Sequence, residues 1–173
     1  MAISLYDLSV ASYLQSLGAV TKLLEKARAH CHDNAIDLNE IVETRLFPDM
    51  LPFRFQLVSV AHHSLGAIRG IEAGVFRPPP SVPDLDYAGL QQHLADARAE
   101  LEKLDRKDVD GLEGRDVVFE IGDRKVPFTA ENFVMTFSLP NLYFHAATAY
   151  DILRMKGVPL GKRDFMGQLR IKT

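Results

Sequence analysis

Cysteine is nearly absent from this 173-residue chain. Cys31 stands alone, so no intrachain disulfide can form, and such sparing use fits a reducing compartment. Long apolar runs are missing too. No stretch reaches the ~18 uninterrupted apolar residues of a membrane span. The opening segment MAISLYDLSVAS lacks a basic stretch ahead of an apolar one, so no secretory signal is expected. Positive charge is in deficit: 20 Lys and Arg against 23 Asp and Glu leave a net charge of -3. That balance offers nothing to attract phosphate backbones or anionic lipid. These absences point to a cytoplasmic protein that engages neither nucleic acid nor membrane. Hydrophobic residues at 47% and charged residues at 25% are ordinary for a globular chain and exclude disorder and low-complexity structure. A chain of this length builds one domain, spanning residues 1–173, and buries roughly 70% of its unfolded surface.

What is present is helical periodicity. Ile3, Tyr6, Val10, Tyr13, Leu17, Val20, Leu24 and Ala27 alternate steps of three and four, the apolar stripe of one long amphipathic helix. Ser4 and Asp7 form a capping box with Asp in place of Glu. The stripe fades near His30–Asn34, and a short helix follows with Asp37 as its cap. Pro48 and Pro52 bracket a turn. A second helix runs from about Pro52 to Gly74 on Leu57, Ala61, Leu65, Ile68 and Ile71. Gly66, Ala67, Gly70 and Gly74 form a small-residue flank, which suggests close approach by another backbone or a ligand, since each internal glycine costs ~1 kcal/mol. The proline-rich connector Arg77–Pro83 cannot be helical. A third helix, capped near Asp84 or Asp86, carries Tyr87, Leu90, Leu94, Ala97, Leu101 and Leu104. Its mixed-charge face, with Glu102 and Arg106 at i,i+4, reads as a solvated surface. Asp116–Ile121 and Arg124–Phe128 flank Gly122-Asp123 as a hairpin. The last helix starts near Thr129, is interrupted at Pro140 by a kink or by a restart capped by Ser138, and stops at Gly157. The tail from Val158 to Thr173 reads as polar and irregular. Four long helices and one hairpin make an all-α four-helix bundle with a small β-hairpin before the last helix.

Most catalytic signatures are missing. No Glu-x-x-His pair supports a di-iron centre, and neither HExxH nor HxxxH occurs among the six histidines. There is no GxSxG elbow, Walker A loop or GxGxxG fingerprint; Gly157 to Gly161-Lys162-Arg163 has the wrong ending and context for a P-loop. Three features remain. His62-His63 lies inside the second helix, and His63 shares the small-residue face with Gln56, Ala67, Gly70 and Gly74, which favours His63 as the one aimed into a crevice. Asn141 and His145 stack at i,i+4 on the last helix and reach one ligand or ion together; the alternative is that Asn141 compensates backbone groups freed at Pro140. His30-Cys31-His32 alternates along a helix, so its side chains diverge and make a poor metal clip.

Pro52-Phe53-x-x-Gln56, the histidine at 63, and Leu139-Pro-Asn-Leu-Tyr-Phe-His145-x-x-Thr148-Ala-Tyr-Asp-Ile-Leu-Arg154, followed by Gly157-Val-Pro-Leu-Gly-Lys-Arg-Asp-Phe-Met-Gly167, resemble a bacterial family known as domain of unknown function 1993. That family resembles a branch of the DinB/YfiT-like metalloenzymes, and the resemblance covers nearly the whole chain. It implies a DinB-like bundle of the up-down-down-up type, packed as a homodimer. It also implies a divalent metal, nickel or zinc, on three histidines, and thiol-transferase-like or hydrolase-like chemistry. Carried over by position, His63 matches the ligand of the second helix and His145 one of the two on the last. The other falls on Asn141 or, in the other register, on Ala149, so one histidine is missing. The implied set is His63, His145 and Asn141 for metal, with Gln56 and Thr148 lining the pocket. The alternative is a non-catalytic protein that binds a small molecule or serves as a dimeric scaffold after losing the metal.

Overall fold

The computed structural model describes residues 3–79 and 84–172. Part of the proline-rich connector, residues 80–83, lies outside them. The first helix is not continuous. It divides into α1 (Leu5–Leu8) and α2 (Val10–Asp33) at Ser9, whose backbone leaves the helical region and whose hydroxyl donates to the Leu5 carbonyl at 2.6 Å. Ser4 caps α1, accepting from the Asp7 amide as expected, but Ile3 is exposed and adds nothing to the core. After α3 (Leu38–Glu43), capped by Asp37, the second long segment is α4 (Phe53–Ala61), a π-helical turn over His62–Gly66, and α5 (Ala67–Ala73). The third is α6 (Tyr87–Glu102), capped by Asp86, with a separate α7 (Arg106–Asp110) behind it. Because α6 ends at Glu102, Arg106 does not pair with that residue. Arg106 instead grips Asp7 on α1, and Glu102 takes Arg98.

β2 (Asp116–Ile121) and β3 (Arg124–Thr129) form the expected hairpin, turned at Gly122 with φ 55°. A strand that periodicity did not show, β1 (Val75–Phe76), adds to β2 in parallel and makes a three-stranded sheet. The last long segment is α8 (Ala130–Phe133), a second π-helical turn over Val134–Ser138, and α9 (Leu139–Met155). Pro140 therefore neither kinks a plain helix nor follows a cap. Ser138 is itself helical and makes no capping bond; the backbone absorbs the missing proline N–H by widening one turn. The tail is not irregular either. α10 (Lys162–Met166) packs on α2, pinned by Lys26–Asp164 at 2.6 Å and by Gln15 donating to the Met166 carbonyl.

The structure is mostly helical with one small sheet. α2 packs against α6 and α9, and α4 packs against the same two. Tyr13, Leu17, Leu24, Phe53, Leu57, Leu90, Leu94 and Ile152 fill the space between them, all almost wholly buried. A knot of phenylalanines, Phe76, Phe119, Phe128, Phe133 and Phe137, ties the sheet to the second π turn. Among the described residues, no helix is long and apolar enough to cross a membrane.

Candidate functional site

His63 and His145 meet. Their rings lie nearly parallel, 15° apart, with centroids separated by 5.8 Å. Each histidine is 9% exposed. The pair forms where two widened turns face each other. In a π turn the backbone no longer closes every i→i+4 bond, and carbonyls are left for other donors. The Ser138 hydroxyl, from the second π turn, donates to the His63 carbonyl, in the first, at 2.7 Å. With its one proton spent there, Ser138 must accept from Tyr13, 2.7 Å away on α2. All three groups are buried, and burial pushes the Tyr13 phenol well above its ordinary range. A chain of three elements thus sets the position of His63.

His145 is set differently. Gln56 donates its amide N–H to the Leu51 carbonyl at 2.8 Å, which turns its oxygen toward His145 Nδ1, also 2.8 Å away. An amide oxygen only accepts, so Nδ1 carries the proton and Nε2 the lone pair. This is the arrangement by which an outer hydrogen bond selects the ligating nitrogen of an imidazole. Replacing Gln56 by Leu should release that choice: the ring nitrogens in long-range 1H–15N spectra should move from one neutral tautomer toward a mixture. A spectrum identical to the parent would mean that Gln56 does not set the tautomer.

Burial keeps both rings neutral. Desolvation lowers the His63 pKa to about 3, with smaller contributions from the neighbouring His62 and His145, and lowers that of His145 to about 4. Phe76 and Phe137 flank His63, and Phe55 and Phe144 flank His145. His63 Nδ1 is buried with no hydrogen-bond partner. An orphaned buried nitrogen costs roughly 1–3 kcal/mol.

The other expected residues are placed less directly. Asn141 donates one amide N–H to the Phe137 carbonyl at 2.7 Å, beside Pro140, which leaves its oxygen and its second N–H to offer a ligand. Thr148 is buried but turns its hydroxyl to the Phe144 carbonyl on its own helix. His62 lies beside His63, ring centroids 5.5 Å apart, but its Nε2 is taken: it donates to the Arg77 carbonyl at 2.7 Å. Cys31 is buried while His32 beside it is exposed, the divergence that their alternation on a helix dictates. Among the described residues, no group of three or more His, Cys, Asp or Glu is placed to hold a metal ion. Tyr13 and Ser138 escaped sequence reasoning, because Tyr13 reads as core and nothing in the local pattern marks a π turn.

A family model described as "Domain of unknown function (DUF1993)" matches residues 5–166. No curated protein matches the chain. Among solved structures, the chain resembles a DinB family member protein from Shewanella denitrificans. The two are 25% identical, with a TM-score of 0.78 over 98% of this chain and 95% of the other.

Proposed function

Since the chain belongs to the DUF1993 family, with a DinB-like fold, we propose that it is a metal-dependent enzyme of the thiol-transferase or hydrolase kind. In this reading it is a cytoplasmic homodimer whose four long helices follow the up-down-down-up order of a DinB bundle. His63 and His145 would hold one divalent ion, nickel or zinc, with the Asn141 oxygen as a weaker third donor. One observation carries the reading: two neutral imidazoles face each other, one with a tautomer locked by Gln56 and the other with a buried nitrogen lacking a partner. The spacing supports it. Metal–nitrogen bonds of ~2 Å put the centroids of two imidazoles on one tetrahedral ion about 5 Å apart; here they are 5.8 Å apart. Imidazole donors suit borderline ions of this kind.

A bound divalent ion supplies a Lewis acid that lowers the pKa of a coordinated water or thiol. The chain's own residues do the rest. Gln56 orients the His145 lone pair, the Ser138–Tyr13 chain holds the His63 backbone, and the buried Phe76 ring packs beside His63. Two histidines are fewer protein ligands than the three of a typical catalytic zinc site, which would leave positions open for substrate.

The commitment of Asn141 to the Phe137 carbonyl favours a second reading, a pocket that binds a small molecule without metal or catalysis. Elemental analysis separates the two. Protein purified without a metal-affinity tag, then incubated with nickel or zinc and desalted, should retain about one equivalent, and His63→Ala and His145→Ala should each lose it. Retention unchanged in both variants, or no retention by the parent, would overturn the metal site and leave the second reading.

A further inference from the structure

His62 and His63 leave their helix toward different sites. His63 joins the pair, whereas His62 borders a separate cleft of about 420 Å³ between the π turn and α6, floored by Val58, Leu65 and Ala97. That size falls within the range of small-molecule sites. Three observations define what the cleft accepts. His62 Nε2 donates to the Arg77 carbonyl, so Nδ1 carries the lone pair of the ring. Gly66, which lines the cleft, keeps that nitrogen uncovered, because a Cβ there would lie 3.1 Å from Nδ1. Glycine is a poor helix former and needs a reason. Gly70 has one, since a Cβ would lie 2.8 Å from the Phe76 ring, and Gly74 has another, a φ of 72°. At Gly66 the nearest atoms all belong to the His62 ring, so the access it leaves to Nδ1 is the reason the structure offers.

The third observation is the facing helix. His93, Asp96 and Glu100 sit at i, i+3 and i+7 of α6 and line the same cleft. Arg69, also in the lining, is 3.9 Å from Glu100, and Lys103 takes the other Glu100 oxygen. Gln92 holds one Asp96 oxygen and leaves the second. With Asp96 and Glu100 against Arg69, and both histidines neutral, the lining carries one net negative charge beside an apolar floor. Burial lowers the pKa of His62 and of His93, which keeps both rings neutral near pH 7.

We propose that this cleft binds a small organic amine in its ammonium form, its apolar body on Val58, Leu65 and Ala97 and its N–H groups between His62 Nδ1 and the Asp96 carboxylate. The site uses no metal and stands apart from the fate of the His63–His145 reading. The test is a 1H–15N titration of the full chain with 2-phenylethylamine, and with 3-phenylpropanoate as an anion of similar shape. The amine should give saturable shifts at the amides of Leu65, Gly66, His93 and Ala97, and the acid should not. Gly66→Ala and Asp96→Asn should each weaken amine binding about tenfold or more. No saturable shift up to about 10 mM amine, a range that covers even millimolar affinity, would overturn the proposal. So would equal binding of the acid, or parent affinity in both variants. Alanine is the better helix former, so Gly66→Ala is expected to fold; if it does not, Asp96→Asn, on an exposed position, decides alone.

Discussion

Mild acid should destabilise this protein by about 4 kcal/mol between pH 7.5 and pH 5, before most carboxylates begin to titrate. In the folded chain His63 and His145 stay neutral down to about 3 and about 4. In the unfolded chain each takes up a proton near pH 6.5. Below that value the unfolded state binds more protons, so stability falls with pH through the window from 6.5 to the folded values. Integrating to pH 5 gives about 2 kcal/mol for each histidine, a large share of the 5–15 kcal/mol typical of a domain. Carboxylates held low by cations or amide donors, such as Asp7 beside Arg106 and Asp164 beside Lys26, add their own loss only at lower pH. Urea midpoints at pH 7.5 and pH 5 measure the effect. His63→Leu and His145→Leu should each remove about half of it. Equal midpoints at the two pH values would show that the rings are solvated and that the site is open.

Ser138→Ala should cost roughly 2–5 kcal/mol, far more than the loss of one surface hydroxyl, because it orphans two buried groups. The His63 carbonyl loses its donor and the Tyr13 phenol its acceptor. Tyr13→Phe should cost only about 1 kcal/mol, since Ser138 still donates to His63. The double variant should therefore lose less than the sum of the singles, a coupling that a double-mutant cycle reads directly. Additive losses would mean that the three groups do not act as one chain. Ser138→Ala should also loosen His63, so whatever metal the parent retains should fall in this variant while Tyr13→Phe keeps more of it.

Local patterns carried much of the fold. The stripes of α2, α4 and α6 face the core, because steps of three and four put those residues on one face of any helix. The caps at Ser4, Asp37 and Asp86, and the turn at Gly122, follow from chemistry within a few residues. His63 was legible as the more buried histidine from the face it shares with Gln56, but the crevice expected beside it opens at His62 instead. Three features escaped periodicity. The π turns meet through a bond between Ser138 and His63, and α10 docks through Lys26 and Gln15, all contacts made far away in sequence. The break at Ser9 is a local one, with its hydroxyl turned back to the Leu5 carbonyl. Periodicity counts residues along a helix and registers none of these. The face of α6 that reads as solvated charge becomes one wall of a cleft only because the π turn carrying His62 lies across from it.

The sequence by itself determined a mostly helical chain, the hairpin, the inward faces and the shortage of histidines on the last helix, because composition and spacing are properties of the chain alone. The tertiary structure decided that His63 and His145 meet, that Gln56 assigns the proton on His145, and that His62 serves a different cleft. Those outcomes depend on which donors and acceptors from distant segments come within 3 Å of one another, and no pattern along a single helix encodes that.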